Sequence, residues 1–140
     1  MGYNMQSRKW LLGINNPSES GLDNNAITET LQKFHPNYFC IADELAATGT
    51  YHTHIFFYTH SPTRFSTIKK RFSTAHIEKA YGTPQENQDY VSKTWILADT
   101  DKAGTSVPNT FQEWGELPAD SDDKAPEMFQ IKLFLQRSTA

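Results

Sequence analysis

Residues 51–58 read Tyr51-His52-Thr53-His54-Ile55-Phe56-Phe57-Tyr58. Taken at period two, the stretch is a strand: His52, His54, Phe56 and Tyr58 fall on one side, and Thr53, Ile55 and Phe57 on the other. The second set can face a core. The first set puts two imidazoles side by side on one face. That is a metal-ligand geometry, which needs an acidic third ligand and an open coordination position before it can do chemistry. Two histidines at i and i+2 are, on their own, more simply the wet face of a half-buried sheet.

The flanking segments supply the missing ligand. Tyr38-Phe39-Cys40-Ile41-Ala42 reads as a strand closing on Asp43-Glu44, and Ala47-Thr48-Gly49 as a turn. The two strands are therefore expected to form a hairpin that brings Glu44 towards His52 and His54. Asp43 is the rival carboxylate. Strand alternation sends Asp43 and Glu44 to opposite faces, so only one can serve.

Working outward, Arg8-Lys9-Trp10-Leu11-Leu12-Gly13-Ile14 reads as a first strand, stopped by Asn15-Asn16-Pro17-Ser18. Asp23 or Asn24 can cap a helix over Ala26–Phe34, with Ile27, Leu31 and Phe34 on one face. Ser61-Pro62 reads as a cap and first-turn proline opening a helix to about Phe72, with Lys69, Lys70 and Arg71 outward. Ala75–Lys79 is a short strand. Thr83-Pro84 opens a helix running to Ser92 or Lys93. Past Trp95-Ile96-Leu97 the chain turns polar, and Phe111–Gly115 is assigned no element. Pro118–Asp123 reads as an acidic linker and Met128–Leu135 as a last helix. The division expected is one domain over 1–117, then linker and helix over 118–140. The order β-α-β-β-α-β-α predicts an α+β fold. It is a ferredoxin-like or RRM-like antiparallel sheet with helices on one face and the site on the other.

Composition narrows the function. With 140 residues the chain can bury a core without disulfides, and its one cysteine, Cys40, sits in an apolar run. No apolar stretch approaches the roughly 20 residues that span a bilayer, so no membrane partner is expected. The N-terminal Met-Gly lacks the Ser or Thr that myristoylation wants, because that position is Gln6. The formal charge is −3, but residues 1–96 hold nine Lys/Arg against eight Asp/Glu, and the acid excess lies after them. The charge therefore leaves a nucleic-acid partner open for the first part of the chain. Aromatics make up 13% and can stack unpaired bases.

A further constellation is Tyr90-Val91-Ser92-Lys93. On a helix, i and i+3 share a face, so the Tyr90 hydroxyl and Lys93 ammonium can meet at a common phosphate. Tyrosine, with an ordinary pKa of about 10, is a poor nucleophile near neutrality. A cation on the non-bridging oxygens and a nearby lysine would lower the barrier to its attack on phosphorus. A lone Y-x-x-K is nonetheless far more often a packed tyrosine beside a solvated lysine.

The ordered set carries more weight than its parts. Trp10-Leu11-Leu12-Gly13-Ile14-Asn15-Asn16-Pro17, His52-Thr53-His54 and Tyr90-Val91-Ser92-Lys93 look like the three motifs of the HUH endonuclease domain. That domain belongs to the replication-initiator (Rep) proteins of circular single-stranded DNA viruses and related plasmids. His76-Ile77-Glu78-Lys79-Ala80-Tyr81-Gly82-Thr83 is similar to the circovirus-like branch. The resemblance covers roughly residues 8–97. It implies a divalent cation, Mg²⁺ or Mn²⁺, held by Glu44, His52 and His54. It also implies a Tyr90 nucleophile aided by Lys93 and a 5′-phosphotyrosyl intermediate in rolling-circle replication. The implied partner is single-stranded DNA at an origin stem-loop, contacted by Arg8, Asn15, Asn16 and the Lys69-Lys70-Arg71 run. Self-association of the longer protein is a further implication, as is an intracellular, host-nuclear setting for some members.

Two features depart from the family pattern. The middle of the second motif is usually hydrophobic and is Thr53 here. The acid that some relatives carry after the motif-three lysine is Thr94, so three protein ligands are expected. Full-length members continue into a helicase-type ATPase. No G-x-x-x-x-G-K-[ST] occurs in these residues, so a domain or truncated form of a longer protein is expected. The competing class is a non-catalytic single-stranded nucleic-acid binder on an RRM-like sheet, which needs exposed aromatics but neither Tyr90 nor Glu44. A two-histidine phosphoesterase wants paired H-x-[ST] motifs, which His54-Ile55-Phe56 and His60-Ser61-Pro62 do not provide.

Overall fold

A computed structural model describes residues 5–45, 48–92 and 110–119. Strand β1 (Gln6–Asn15) is followed by a 3-10 turn at Pro17–Ser20 and helix α1 (Asn24–Gln32). Then come β2 (Tyr38–Leu45), β3 (Tyr51–Arg64), α2 (Phe65–Arg71), β4 (His76–Lys79), α3 (Pro84–Ser92) and β5 (Gln112–Gly115). The sheet has the order β4-β1-β3-β2-β5, and every pairing in it is antiparallel. The α+β class and the expected element order hold. No described helix is long and apolar enough to cross a membrane.

Strand alternation sorts the side chains into two layers. Trp10, Leu12 and Ile14 of β1, Ile41 of β2 and Ile55 and Phe57 of β3 bury themselves against Ile27 and Leu31 of α1 and Ile68 of α2. Leu31 is fully enclosed, and truncating it to alanine would cost about 2–5 kcal/mol. Asp23 caps α1, its carboxylate accepting from the Ala26 amide at 2.8 Å, which decides between the two cap candidates. On the other layer Tyr38, Cys40, Ala42, Phe56 and Tyr58 pack with Val91 of α3 and with Ala80. So α1 and α2 take one face, and α3 crosses the opposite face beside the histidines.

Two local expectations are corrected. Ser61-Pro62 does not cap a helix. Strand β3 runs on to Arg64, re-pairing as Ser7↔Thr63 and Gln6↔Arg64 after a register shift, and α2 starts only at Phe65. Pro62 is tolerated because the irregularity demands no ladder donor there. Residues 112–115 form a fifth strand on the β2 edge, pairing Tyr38↔Gly115 through Ile41↔Gln112. Gly115 has φ +86°, and a Cβ there would stand 2.2 Å from the Asn37 carbonyl oxygen. The linker beyond residue 119 and the expected Met128–Leu135 helix lie outside the described residues.

Candidate metal and tyrosine site

The cross-strand register arranges one face of the sheet in rows. His52 stands between Glu44 of β2 and Asn15 of β1. In the next row His54 stands between Ala42 and Gly13, with His76 of β4 beyond the glycine. The third row is Cys40, Phe56, Leu11 and Glu78. Parity puts all of these on one face, which is why Glu44 joins the histidines and Asp43 does not. Asp43 is buried on the opposite side, where it accepts hydrogen bonds from Thr53 Oγ1 at 2.8 Å and Tyr51 Oη at 2.7 Å. The hydroxyl of Thr53 thus has a partner that a hydrophobic residue would leave empty.

With only Ala42 and Gly13 beside it, His54 leaves room for a neighbour's side chain to lean over. Glu44 does so: its Oε1 lies 2.7 Å from His54 Nε2. Both side chains are mostly covered, at 27% and 19% exposed. His52 Nδ1 faces the Asn15 side-chain oxygen. An accepting oxygen there holds the proton on Nδ1 and leaves Nε2 with its lone pair. The two imidazole centroids are 6.2 Å apart. The Tyr90 ring stands edge-on to His54 with centroids 6.5 Å apart. Burial, then the Glu78 and Glu44 carboxylates, push the Tyr90 hydroxyl above its ordinary value.

Among the described residues no group of three His, Cys, Asp or Glu forms a ready metal centre. The His54 and Glu44 donor atoms are instead hydrogen-bonded to each other. The donor set nevertheless suits a hard divalent cation. Adjacent ligand atoms around an ion with bonds of about 2.1 Å at right angles sit about 3 Å apart. A pair at 2.7 Å needs only a few tenths of separation to reach that.

Helix α3 delivers Tyr90, and polar tethers fix the helix. Thr83 and Glu86 form a capping box, with the Thr83 amide to Glu86 Oε1 at 2.9 Å and the Glu86 amide to Thr83 Oγ1 at 3.0 Å. Asn87 Nδ2 donates to the Tyr81 and Thr83 carbonyls, both at 2.9 Å. Buried Lys9 donates to the Gly82 carbonyl. Gln88 Nε2 reaches Tyr38 Oη at 3.1 Å and Glu113 Oε1 at 2.8 Å, joining the helix to β2 and β5. Sequence reading missed Lys9, Glu86, Gln88, Tyr38 and Glu113; of this framework only the Thr83-Pro84 helix start was read. Lys93 lies outside the described residues.

The six expected DNA contacts separate. Asn15 is at the site, against His52. Asn16 holds a left-handed turn at φ 48°, and its amide donates to the Tyr51 carbonyl at 2.6 Å. Arg8 donates to Tyr58 Oη, with its guanidinium 5.2 Å over that ring, farther along the same face. The Lys69-Lys70-Arg71 run is not brought to the site. It ends α2 on the opposite layer, where Lys69 Nζ donates to the Ala75 carbonyl at 3.1 Å and Arg71 lies 6.0 Å over Phe34. His60 and His35 are exposed and stand away from the cluster.

Fold and cluster together define an α+β protein whose open sheet face bears two histidines and a carboxylate beside a tyrosine. The chain belongs to the family described as "Putative viral replication protein", which it matches over residues 7–94. It is 38% identical over 93 residues to the replication-associated protein of Human associated cyclovirus 1, covering 65% of this chain and 32% of that protein. To the replication-associated protein of Pigeon circovirus it is 31% identical over 87 residues, covering 62% and 26%. To Para-Rep C2 of Subterranean clover stunt C2 alphasatellite it is 30% identical over 95 residues, covering 65% and 34%. The chain thus spans about a quarter to a third of the length of these relatives.

Proposed function

We propose that this chain is the HUH endonuclease domain of a replication initiator and nicks single-stranded DNA at an origin. The observation that carries the reading is the convergence on His54, whose ring has the Glu44 carboxylate at 2.7 Å and the Tyr90 ring edge-on to it with centroids 6.5 Å apart. Glu44, His52 and His54 would hold a divalent cation, Mg²⁺ or Mn²⁺, which when bound polarises the scissile phosphate. Tyr90 Oη attacks phosphorus, the bond to the 3′ oxygen breaks, and that oxygen leaves as a 3′-hydroxyl after taking a proton. The product is a 5′-phosphotyrosyl link that a later 3′-hydroxyl can reverse. Because Tyr90 is held protonated by its surroundings, the attack needs its proton removed and local positive charge. Lys93, three residues on, is the side chain assigned to that task and to the phosphate.

Arg8 and Asn16 are proposed DNA contacts at the two ends of the face. The Lys69-Lys70-Arg71 run is left to long-range attraction of the strand. The non-catalytic RRM-like alternative needs an exposed aromatic platform. Phe56 and Tyr58 instead lie buried beneath α3, at 0% and 7% exposed.

The test is a denaturing gel of the protein with Mn²⁺ and single strands carrying a 3′ label, the targets drawn from a randomised library. A boiling-resistant labelled band is expected from the wild type and none from Tyr90→Phe, His52→Ala or His54→Ala. Covalent adducts from Tyr90→Phe, or wild-type rates from either histidine variant, overturn the assignment.

A further inference from the structure

Gly13 sits in the interior of β1, where glycine weakens a strand and commonly marks a place that something approaches closely. Its backbone does not require glycine, since it is not among the positive-φ positions. Its packing does not require glycine either, because a Cβ there would meet nothing within 4 Å. On the site face it is flanked by His54 on β3 and His76 on β4 in the same row. The gap is the floor of an open pocket of about 210 Å³ walled by His54, His76, Glu78 and Tyr90. His76 Nε2 and Glu78 Oε2 lie 3.0 Å apart and are exposed at its rim.

We propose that this trough seats one nucleotide of the single strand, its sugar and base lying over the Gly13 backbone between the two imidazoles, next to the phosphate that Tyr90 attacks. This rests on the endonuclease reading and adds a subsite to it. The chemistry suits a nucleotide. An imidazole on each side offers a flat surface for a base, Leu11 an apolar patch for the sugar, and the His76–Glu78 pair a donor and acceptor for a base edge. A Cβ and anything beyond it would occupy the space while leaving the strand intact. Gly13 is therefore a binding residue through what it lacks.

The experiment uses the full chain and a single strand that the wild type cleaves. Each nucleotide near the cut is replaced in turn by an abasic unit, and KM and kcat are measured for wild type, Gly13→Leu and His76→Ala. For the wild type, one position flanking the cut should raise KM about tenfold when abasic. Gly13→Leu should raise KM about tenfold on the intact strand, make that abasic position silent, and melt no lower than wild type. His76→Ala, at an exposed edge position, should lessen the same abasic penalty and serves as the second variant if Gly13→Leu folds poorly. Wild-type KM and an unchanged abasic profile in a folded Gly13→Leu, or in His76→Ala if Gly13→Leu does not fold, overturn the subsite and leave the endonuclease reading standing. Failure of the wild type to cleave any strand overturns the endonuclease reading, and the subsite falls with it.

Discussion

Glu44 is paired in register with His52, yet its carboxylate is bonded to His54, 2.7 Å from Nε2. This diagonal reach is open because the residue directly opposite His54 on β2 is the small Ala42. It brings the carboxylate from the His52 row to the His54 row without either residue leaving its strand.

Glu44→Gln keeps the shape of that side chain and removes the charge. Mn²⁺ affinity, followed by calorimetry, should fall by at least the roughly 10–100-fold that loss of an outer partner costs. The melting temperature should move little, since the glutamine side-chain oxygen can still accept a hydrogen bond from the His54 ring. Unchanged Mn²⁺ binding would remove Glu44 from the ligand set.

Asn15→Ala deletes the oxygen facing His52 Nδ1. The imidazole is then free to turn and to carry its proton on either nitrogen. Mn²⁺ affinity should drop by roughly 10–100-fold, with Asn15→Asp recovering most of it because an oxygen acceptor is restored. If Asn15→Ala binds Mn²⁺ as well as wild type while losing only DNA affinity, the asparagine acts on DNA alone.

Tyr51 gives a pH prediction away from the site. Its hydroxyl is pushed up to about 12, first by its hydrogen bond to Asp43, then by burial and the Asp43 charge. The folded value is above the ordinary value of about 10, so the bond's contribution is complete below pH 10 and drains away as pH rises towards 12. At pH 7, Tyr51→Phe should cost about 1 kcal/mol in urea unfolding. That difference from wild type should shrink across pH 10–12. A constant difference over the window would show that the Tyr51–Asp43 bond is not what the substitution removes.

Gly115→Ala combines a φ of +86° with a Cβ placed 2.2 Å from the Asn37 carbonyl. A loss of about 2 kcal/mol is expected in urea unfolding. Because Glu113 of the same strand holds Gln88 of α3 at 2.8 Å, protection of the α3 amides from hydrogen exchange should fall as well. Wild-type stability would mean that β5 docks differently from the pairing described above.

Much of this site was legible because period-two patterns are strong. The alternation in 51–58 placed the histidines opposite Ile55 and Phe57, and the same rule separated Glu44 from Asp43. The illegible parts have physical reasons. β5 is four exposed residues stabilised from one side only, so Gln112–Gly115 carries no burial pattern to read. Ser61-Pro62 has the local chemistry of a helix start, but pairing with the first residues of β1 overrides it. Lys9 looks like surface charge in sequence, and only the fold shows its ammonium bonded to the Gly82 carbonyl. Asn15 was expected to touch DNA; its pairing with His52, 37 positions away, is a separate relationship that only the register reveals.

The histidine strand and the tyrosine helix are held in different ways. His52 and His54 ride on β3, the middle strand of five, and can separate only if ladders on both sides come apart. Tyr90 rides on α3, which packs on the sheet through Val91 and is tied to it by side-chain hydrogen bonds, Lys9 donating to Gly82 and Gln88 to Tyr38 and Glu113, that can break singly. Opening free energies within one molecule follow how many packed and paired contacts must break, and are highest for elements interlocked in the core. In the proposed reaction the histidines would be the fixed anvil and the tyrosine the hammer. In the proposed reaction, a helix that lifted without disturbing the sheet would let a covalently tethered strand be swung aside while its successor settled on the same pair of imidazoles.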